Sequence, residues 1–136
     1  MPDYMLDTDI VIFVLRGRHP EIDRRIGQLA PSQHCISMAT YAELMFGIQH
    51  QPSGHVTRDQ LARFLDSTTV LDLGREAAEV YARLRYRLNR QGMPIESMDL
   101  LIAAHAISIG AILVTNNVKH FERLAPDLTI ENWIEN

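Results

Sequence analysis

Residues 97–115 constrain the fold more than any other stretch. From Leu100 to Ile109 apolar side chains occupy nearly the whole circumference of a helix. Such a helix must be covered on most sides. Ser97 is placed to cap it and Gly110 to close it. The next five residues, Ala111-Ile112-Leu113-Val114-Thr115, read as the clearest strand of the chain. A covered helix running straight into an apolar strand belongs to a layered α/β arrangement, and the rest of the sequence repeats that alternation.

Tyr4-Met5-Leu6 is a short buried strand ending at Asp7, after which Asp7 to Asp9 can cap a helix through Ile10, Ile12, Phe13 and Leu15. Gly17 and Pro20 stop it. Pro20 opens a second helix with Ile22, Ile26 and Leu29 on one stripe, closing before Pro31. Cys35-Ile36 is the second strand, and Ser37 or Thr40 starts a helix bearing Tyr41, Leu44, Met45 and Ile48. Gln51 to Thr57 reads as a surface connection, Leu61, Phe64 and Leu65 as a helix, and Val70-Leu71 as a strand. A long helix from Arg75 to Arg90 buries Ala77, Tyr81, Leu84 and Leu88 and ends at Gly92 and Pro94. A short helix near Val118 to Arg123 and a strand near Leu128 to Ile130 finish the chain. The expected architecture is one α/β domain over residues 1–136, with a central parallel sheet of about five short strands flanked by helices.

Composition narrows the function. The chain has 136 residues, 46% of them apolar, enough for one core without staples. One cysteine, Cys35, excludes a disulfide framework and a cysteine zinc cluster, and is expected to be an inert buried thiol. The net charge of −4 argues against a general electrostatic coat for nucleic acid. No run approaches the roughly 20 apolar residues of a membrane span, and no signal peptide is visible at the start. A cytoplasmic location is the expectation.

Open parallel sheets bind ligands beyond the carboxyl ends of their strands. Asp7 ends the first strand, and Thr115-Asn116-Asn117 ends the best-defined one. Asp99 stands in the first turn of the covered helix, and Glu43 lies in the apolar stretch Tyr41 to Ile48. Each has a plain structural reading: Asp9 as a helix cap, Asp99 as a first-turn acid, Glu43 on a solvated face and Asn117 as a turn residue. Together they read differently, because Asp7 and Asp99 are embedded in the most apolar segments. A buried carboxylate needs a compensating charge. With one lysine and twelve arginines, mostly on solvated faces, a bound cation is the obvious source. Oxygen donors without cysteine favour magnesium or manganese over zinc.

The histidines are weaker candidates. His105 in the covered helix is expected to be a hydrogen-bonded core residue, and His19, His34, His50, His55 and His120 form no pair at zinc-ligand spacing. Arg83, Arg87 and Arg90 stand at i, i+4 and i+7 opposite the apolar stripe of their helix. They form either a solvated face or a track for a phosphate backbone.

Four motifs in order, Leu6-Asp7-Thr8-Asp9, Ser37-x-x-Thr40-x-x-Glu43-Leu44-x-x-Gly47, Asp99-x-x-Ile102-Ala103-Ala104-x-Ala106 and Val114-Thr115-x-Asn117-x-x-x-Phe121, resemble the PIN-domain ribonucleases. More narrowly they resemble the VapC toxins of VapBC toxin–antitoxin pairs, over essentially the whole chain. The resemblance implies a PIN-like fold and a magnesium-dependent endoribonuclease, with manganese as substitute, that acts on structured RNA such as transfer RNA. It also implies a small VapB-type antitoxin that holds the enzyme inactive, and a homodimer. The family's carboxylates fall on Asp7, Glu43 and Asp99 as metal ligands and catalytic groups. Its fourth acidic place falls on Asn117, which adds an oxygen but no charge. Thr115 and Asp9 fall on supporting positions. Two alternatives stay open. The segment Tyr4 to Asp9 also resembles the strand-plus-DxD signature of haloacid-dehalogenase-type phosphatases, with Asp7 as nucleophile. A non-catalytic PIN-like interaction module is the other.

Overall fold

The computed structural model describes residues 1–51, 54 and 56–134. Its first strand, β1 (Tyr4–Leu6), passes directly into α1 (Thr8–Arg16), and α2 (Pro20–Gly27) follows. Gly17 ends α1 at φ 68°, the left-handed conformation that favours glycine. β2 (His34–Ser37) leads into α3 (Met38–His50), whose cap is Ser37: its Oγ accepts the Ala39 N–H at 3.1 Å. Next come α4 (Arg58–Leu65), β3 (Thr69–Leu71) and α5 (Arg75–Arg90). The chain closes with α6 (Ser97–Ile109), β4 (Ile112–Val114), α7 (Val118–Phe121) and β5 (Ile130–Glu131).

The five strands form one sheet in the order β3-β2-β1-β4-β5, and every pairing is parallel. The expected sheet is therefore present. Strand alternation divides the core into two. Met5, Cys35 and Leu113 point to one face and pack with Leu84, Leu88, Leu100 and Ala103 of α5 and α6. Leu6, Ile36 and Val114, each one residue further on, point to the other and pack with Ile10, Leu44, Leu61 and Phe64 of α1, α3 and α4. Helix α6 lies between α5 and the sheet, with Leu100 and Ile102 to Ala106 all buried, as its uniform apolarity required.

Boundaries differ from the sequence reading at several points. β4 is shorter than Ala111 to Thr115 at both ends, and β5 starts two residues later and ends one later than the expected Leu128 to Ile130. A 3₁₀ turn over Pro31–Gln33 has no counterpart in the sequence reading, and the helix expected near Val118 to Arg123 divides into α7 and a second 3₁₀ turn, Glu122–Leu124. The cap of α6 is Glu96 rather than Ser97: Glu96 Oε2 accepts the Asp99 N–H at 3.2 Å, and Ser97 is already helical. A glutamate is long enough to reach the amide three residues on, which puts another acid beside Asp99. Of the expected connection Gln51 to Thr57, residues 52, 53 and 55 lie outside the described residues.

Chain order fixes where a site can form. From β1 the chain builds outward through β2 and β3, then crosses back to place β4 on the other side of β1. Successive connections thus leave opposite ways at the carboxyl ends of β1 and β4, the switch point where open parallel sheets bind ligands.

Candidate active site

Four carboxylates gather at that switch point. Asp7 is the residue after β1 and the cap of α1, and it is only 5% exposed. One of its oxygens, Oδ1, accepts the Thr8 N–H at 2.9 Å, while Oδ2 accepts the Thr115 hydroxyl at 2.8 Å. Thr115 Oγ1 in turn accepts the Asn117 N–H at 3.0 Å. The loop after β4 is thereby tied to the end of β1 through one hydroxyl, which fixes the Asp7 carboxylate in orientation.

Asp9 lies one turn into the site. Of the stretch Asp7 to Asp9 it is Asp7 that caps the helix; Asp9 stands in the first turn, where backbone amides of Ile10 and Asn116 still favour its charge. Its Oδ2 accepts the Asn116 N–H at 3.3 Å, whereas Oδ1 is buried without a hydrogen-bond partner. An unpaired carboxylate oxygen away from water is costly unless a ligand completes it. Glu43, on α3, is half-buried rather than on a solvated face. Its Oε1 accepts the Thr8 hydroxyl at 2.7 Å, and Thr40 Oγ1 lies 3.3 Å from the same hydroxyl. Asp99, in the first turn of α6, has His120 Nε2 3.1 Å from its Oδ2.

The electrostatics agree with the crowding. Burial, and then the negative charge of Asp9, pushes the Asp7 carboxyl up to about 7 from 3.8. Asp9 is raised by burial and by Asp99, and Asp99 by burial and by Asp7. Glu43 is raised by burial and by Asp99 and Glu96. Each carboxylate thus carries the charge of at least one other, and none of these principal influences is a lysine or arginine. Among the described residues the basic neighbour is His120, which lowers Asp99. Among the described residues no group of three or more His, Cys, Asp or Glu side chains is spaced to hold a metal ion as it stands. The donors are gathered but not preassembled. Their hard-oxygen chemistry, their mutual repulsion and the orphaned Asp9 Oδ1 all fit a divalent cation.

Of the expected site residues, Asp7, Glu43, Asp99 and Thr115 converge here. Asn117 enters through its backbone N–H and is itself exposed. The arginine row does not reach the site: Arg83 and Arg87 face Asp127 at 3.8 and 3.4 Å, and Arg90 lies over the Tyr86 ring at 5.9 Å. Sequence reasoning missed Thr8, Glu96 and His120. The β-branched hydroxyl between two aspartates was a usable signal for Thr8. His120 had none, being 21 positions from Asp99 with no shared periodicity. His105 is the core histidine expected, its Nδ1 2.8 Å from Ser37 Oγ and its imidazole kept neutral by burial. Cys35 is buried, its thiol pushed up to about 12, which makes it inert as expected.

Comparison with known proteins places this geometry. The PIN domain family profile matches residues 4–126. Ribonuclease VapC2 of Haemophilus influenzae is 40% identical over 134 residues, covering 98% of this chain and 100% of its own. The tRNA(fMet)-specific endonuclease VapC of Salmonella typhimurium is 36% identical over 133 residues, covering 98% and 99%. A crystal structure of VapBC2 from Rickettsia felis, bound to a DNA fragment from their promoter, superposes with a TM-score of 0.88. It is 34% identical and covers 96% of this chain and 98% of that one. The phosphatase reading of Tyr4 to Asp9 gains no support from these matches. Motif order, sheet topology and full-length similarity agree: the chain belongs to the PIN-domain family, in its VapC branch.

Proposed function

We propose that this chain is a magnesium- or manganese-dependent endoribonuclease, the toxin of a VapBC pair, which hydrolyses phosphodiester bonds in structured RNA. The observation that carries the reading is the acid cluster: Asp7, Asp9, Glu43 and Asp99 are desolvated together, and among the described residues the basic side chain set against them is His120. A protein gains nothing in stability from that arrangement, so it serves a ligand. Asp7 and Asp99 would hold the cation, with Glu43 completing its surroundings. Bound there, the cation supplies positive charge for the phosphoryl oxygens and acidifies water.

The chain's own groups do the rest. Thr115 and the Thr8 amide fix the two oxygens of Asp7, leaving it little rotational freedom. Thr8 holds Glu43 by one oxygen, and the raised affinity of Glu43 for protons suits it to accept one from the attacking water. His120 beside Asp99 can donate a proton to a leaving oxygen. Asn117 adds no charge, so the family's fourth acidic place is filled here by a neutral amide. By family resemblance the products carry a 5′-phosphate and a 3′-hydroxyl. Names of the relatives support an RNA substrate, and that of the Salmonella protein supports transfer RNA. The VapBC structures support a VapB-type antitoxin partner.

The test is cleavage of bulk bacterial tRNA by purified, antitoxin-free protein. EDTA should abolish cutting, magnesium or manganese should restore it, and calcium should restore it poorly because it is the weaker Lewis acid. Full activity in EDTA would remove the metal from the account.

A further inference from the structure

A cleft of about 170 Å³ opens beside the acid cluster, between α1 and α3. Thr8 and Glu43 belong to both. From there the cleft follows one face of α1 through Ile12 to Arg16, two helical turns or about 12 Å from Thr8. On the α3 side it is lined by Gly47 and Ile48. One end is therefore acidic, the wall apolar, and the other end cationic.

Gly47 is the informative residue. It stands within α3, where glycine is the poorest former after proline. Its backbone is not left-handed, unlike Gly17, Gly92 and Gly110. A Cβ built on it would meet nothing within 4 Å. Gly27, the last residue of α2, shares these features, but Gly47 lines the cleft, so a side chain there would take space from it.

Building on the ribonuclease reading, we propose that this cleft seats the nucleotide adjoining the scissile phosphate. The base lies over Gly47 against Ile12 and Ile48, and Arg16 takes a neighbouring backbone phosphate. A flat base fits an apolar wall, and a nucleotide is the ligand that carries an anion toward Arg16 while its other phosphate reaches the acid cluster beside Glu43. Gly47 acts as a substrate-positioning residue, remote from the bond that breaks.

The experiment pairs affinity with stability. Binding of fluorescein-labelled bulk tRNA is measured in EDTA, cleavage of the same tRNA in magnesium, and melting in both. Gly47→Leu should weaken tRNA binding and raise KM by about tenfold, the scale of one lost base contact, with kcat within about twofold. Gly47→Ala should melt about 3 °C higher than wild type, since alanine is the better helix former, and lose roughly twofold in affinity. Arg16→Gln should lower the salt slope of binding by about one.

Unchanged tRNA affinity in Gly47→Leu would overturn the proposal, and so would a lower melting temperature in both glycine variants, which would make Gly47 structural. Loss of grip on a VapB-type partner alone, with tRNA unaffected, would hand the cleft to the protein partner. Wild-type protein that binds tRNA but does not cut it counts against the ribonuclease reading only, because the binding series still decides the cleft.

Discussion

Two buried polar groups sit close together in this fold and were built on opposite terms. Ser37 and His105 meet between β2 and α6, 2.8 Å apart, and Ser37 also accepts the Ala39 amide. Burial holds His105 neutral, so nothing charged is left over. At the ends of β1 and β4 the reverse holds. Asp7 is buried and Asp9, Glu43 and Asp99 are half-buried, all four are made harder to ionise by desolvation, each feels the charge of at least one other, and Asp9 Oδ1 has no hydrogen-bond partner. The first group is closed and specifies packing. The second is open and costs stability until something positive joins it. One fold tolerates both because only the second is a place for chemistry.

The sharpest way to break that contrast is to open the closed pair. Ser37→Ala removes a helix cap and strips His105 of its hydroxyl partner. It should cost about 2–4 kcal/mol, combining a lost cap with an unsatisfied buried nitrogen. Urea melts should show this with or without magnesium, and activity per folded molecule should survive. Equal stability of variant and wild type would mean that the pair is not what closes this part of the core.

The opposite substitution should have the opposite sign. Asp7→Asn keeps a good cap and a similar shape while removing one charge. Wild-type Asp7 has a folded pKa near 7 against 3.8 when unfolded, so its folded form holds the proton more tightly. In EDTA its stabilising contribution is full below 3.8 and is lost as pH rises through 7. Wild type should therefore lose on the order of 1–3 kcal/mol across that window, shared with its coupled neighbours. Asp7→Asn should show a flatter profile and melt higher than wild type at neutral pH, yet fail to cut RNA. A wild-type profile flat over this range would contradict the crowding.

The smallest effect concerns the arginine row. Since Arg83 and Arg87 are already engaged with Asp127 on an exposed face, reversing Arg83, Arg87 and Arg90 to Glu should change stability by under about 1 kcal/mol. Its effect on the salt dependence of tRNA binding should be weaker than that of Arg16→Gln. A larger drop in slope for the triple reversal would restore this helix face as an RNA track.

The same contrast explains what was legible beforehand. Apolar patterning is a local signal, so α6, β4 and the full span Arg75 to Arg90 could be read directly. Asp7 and Asp99 could be suspected because charge inside an apolar run contradicts its surroundings. Glu43 needed the resemblance, since nothing in α3 alone tells a buried glutamate from a solvated one. His120 and Asn116 reach the site through the fold, by way of the loop after β4, and a contact made only in three dimensions leaves no periodicity to read. Glu96 was missed for a smaller reason: serine is the commoner cap, and the longer side chain one residue earlier won.

The central claim is that the acid cluster is a cation site, and melting wild type and Asp99→Asn in EDTA and in magnesium tests it most directly. Saturating magnesium, at 100 times its dissociation constant, should stabilise wild type by about 2.7 kcal/mol and Asp99→Asn much less. In EDTA at neutral pH the variant should melt at least as high as wild type, because a repelling charge has gone. If magnesium instead shifts both proteins equally and Asp99→Asn melts lower in EDTA, Asp99 is an ordinary first-turn acid and the cation site does not exist.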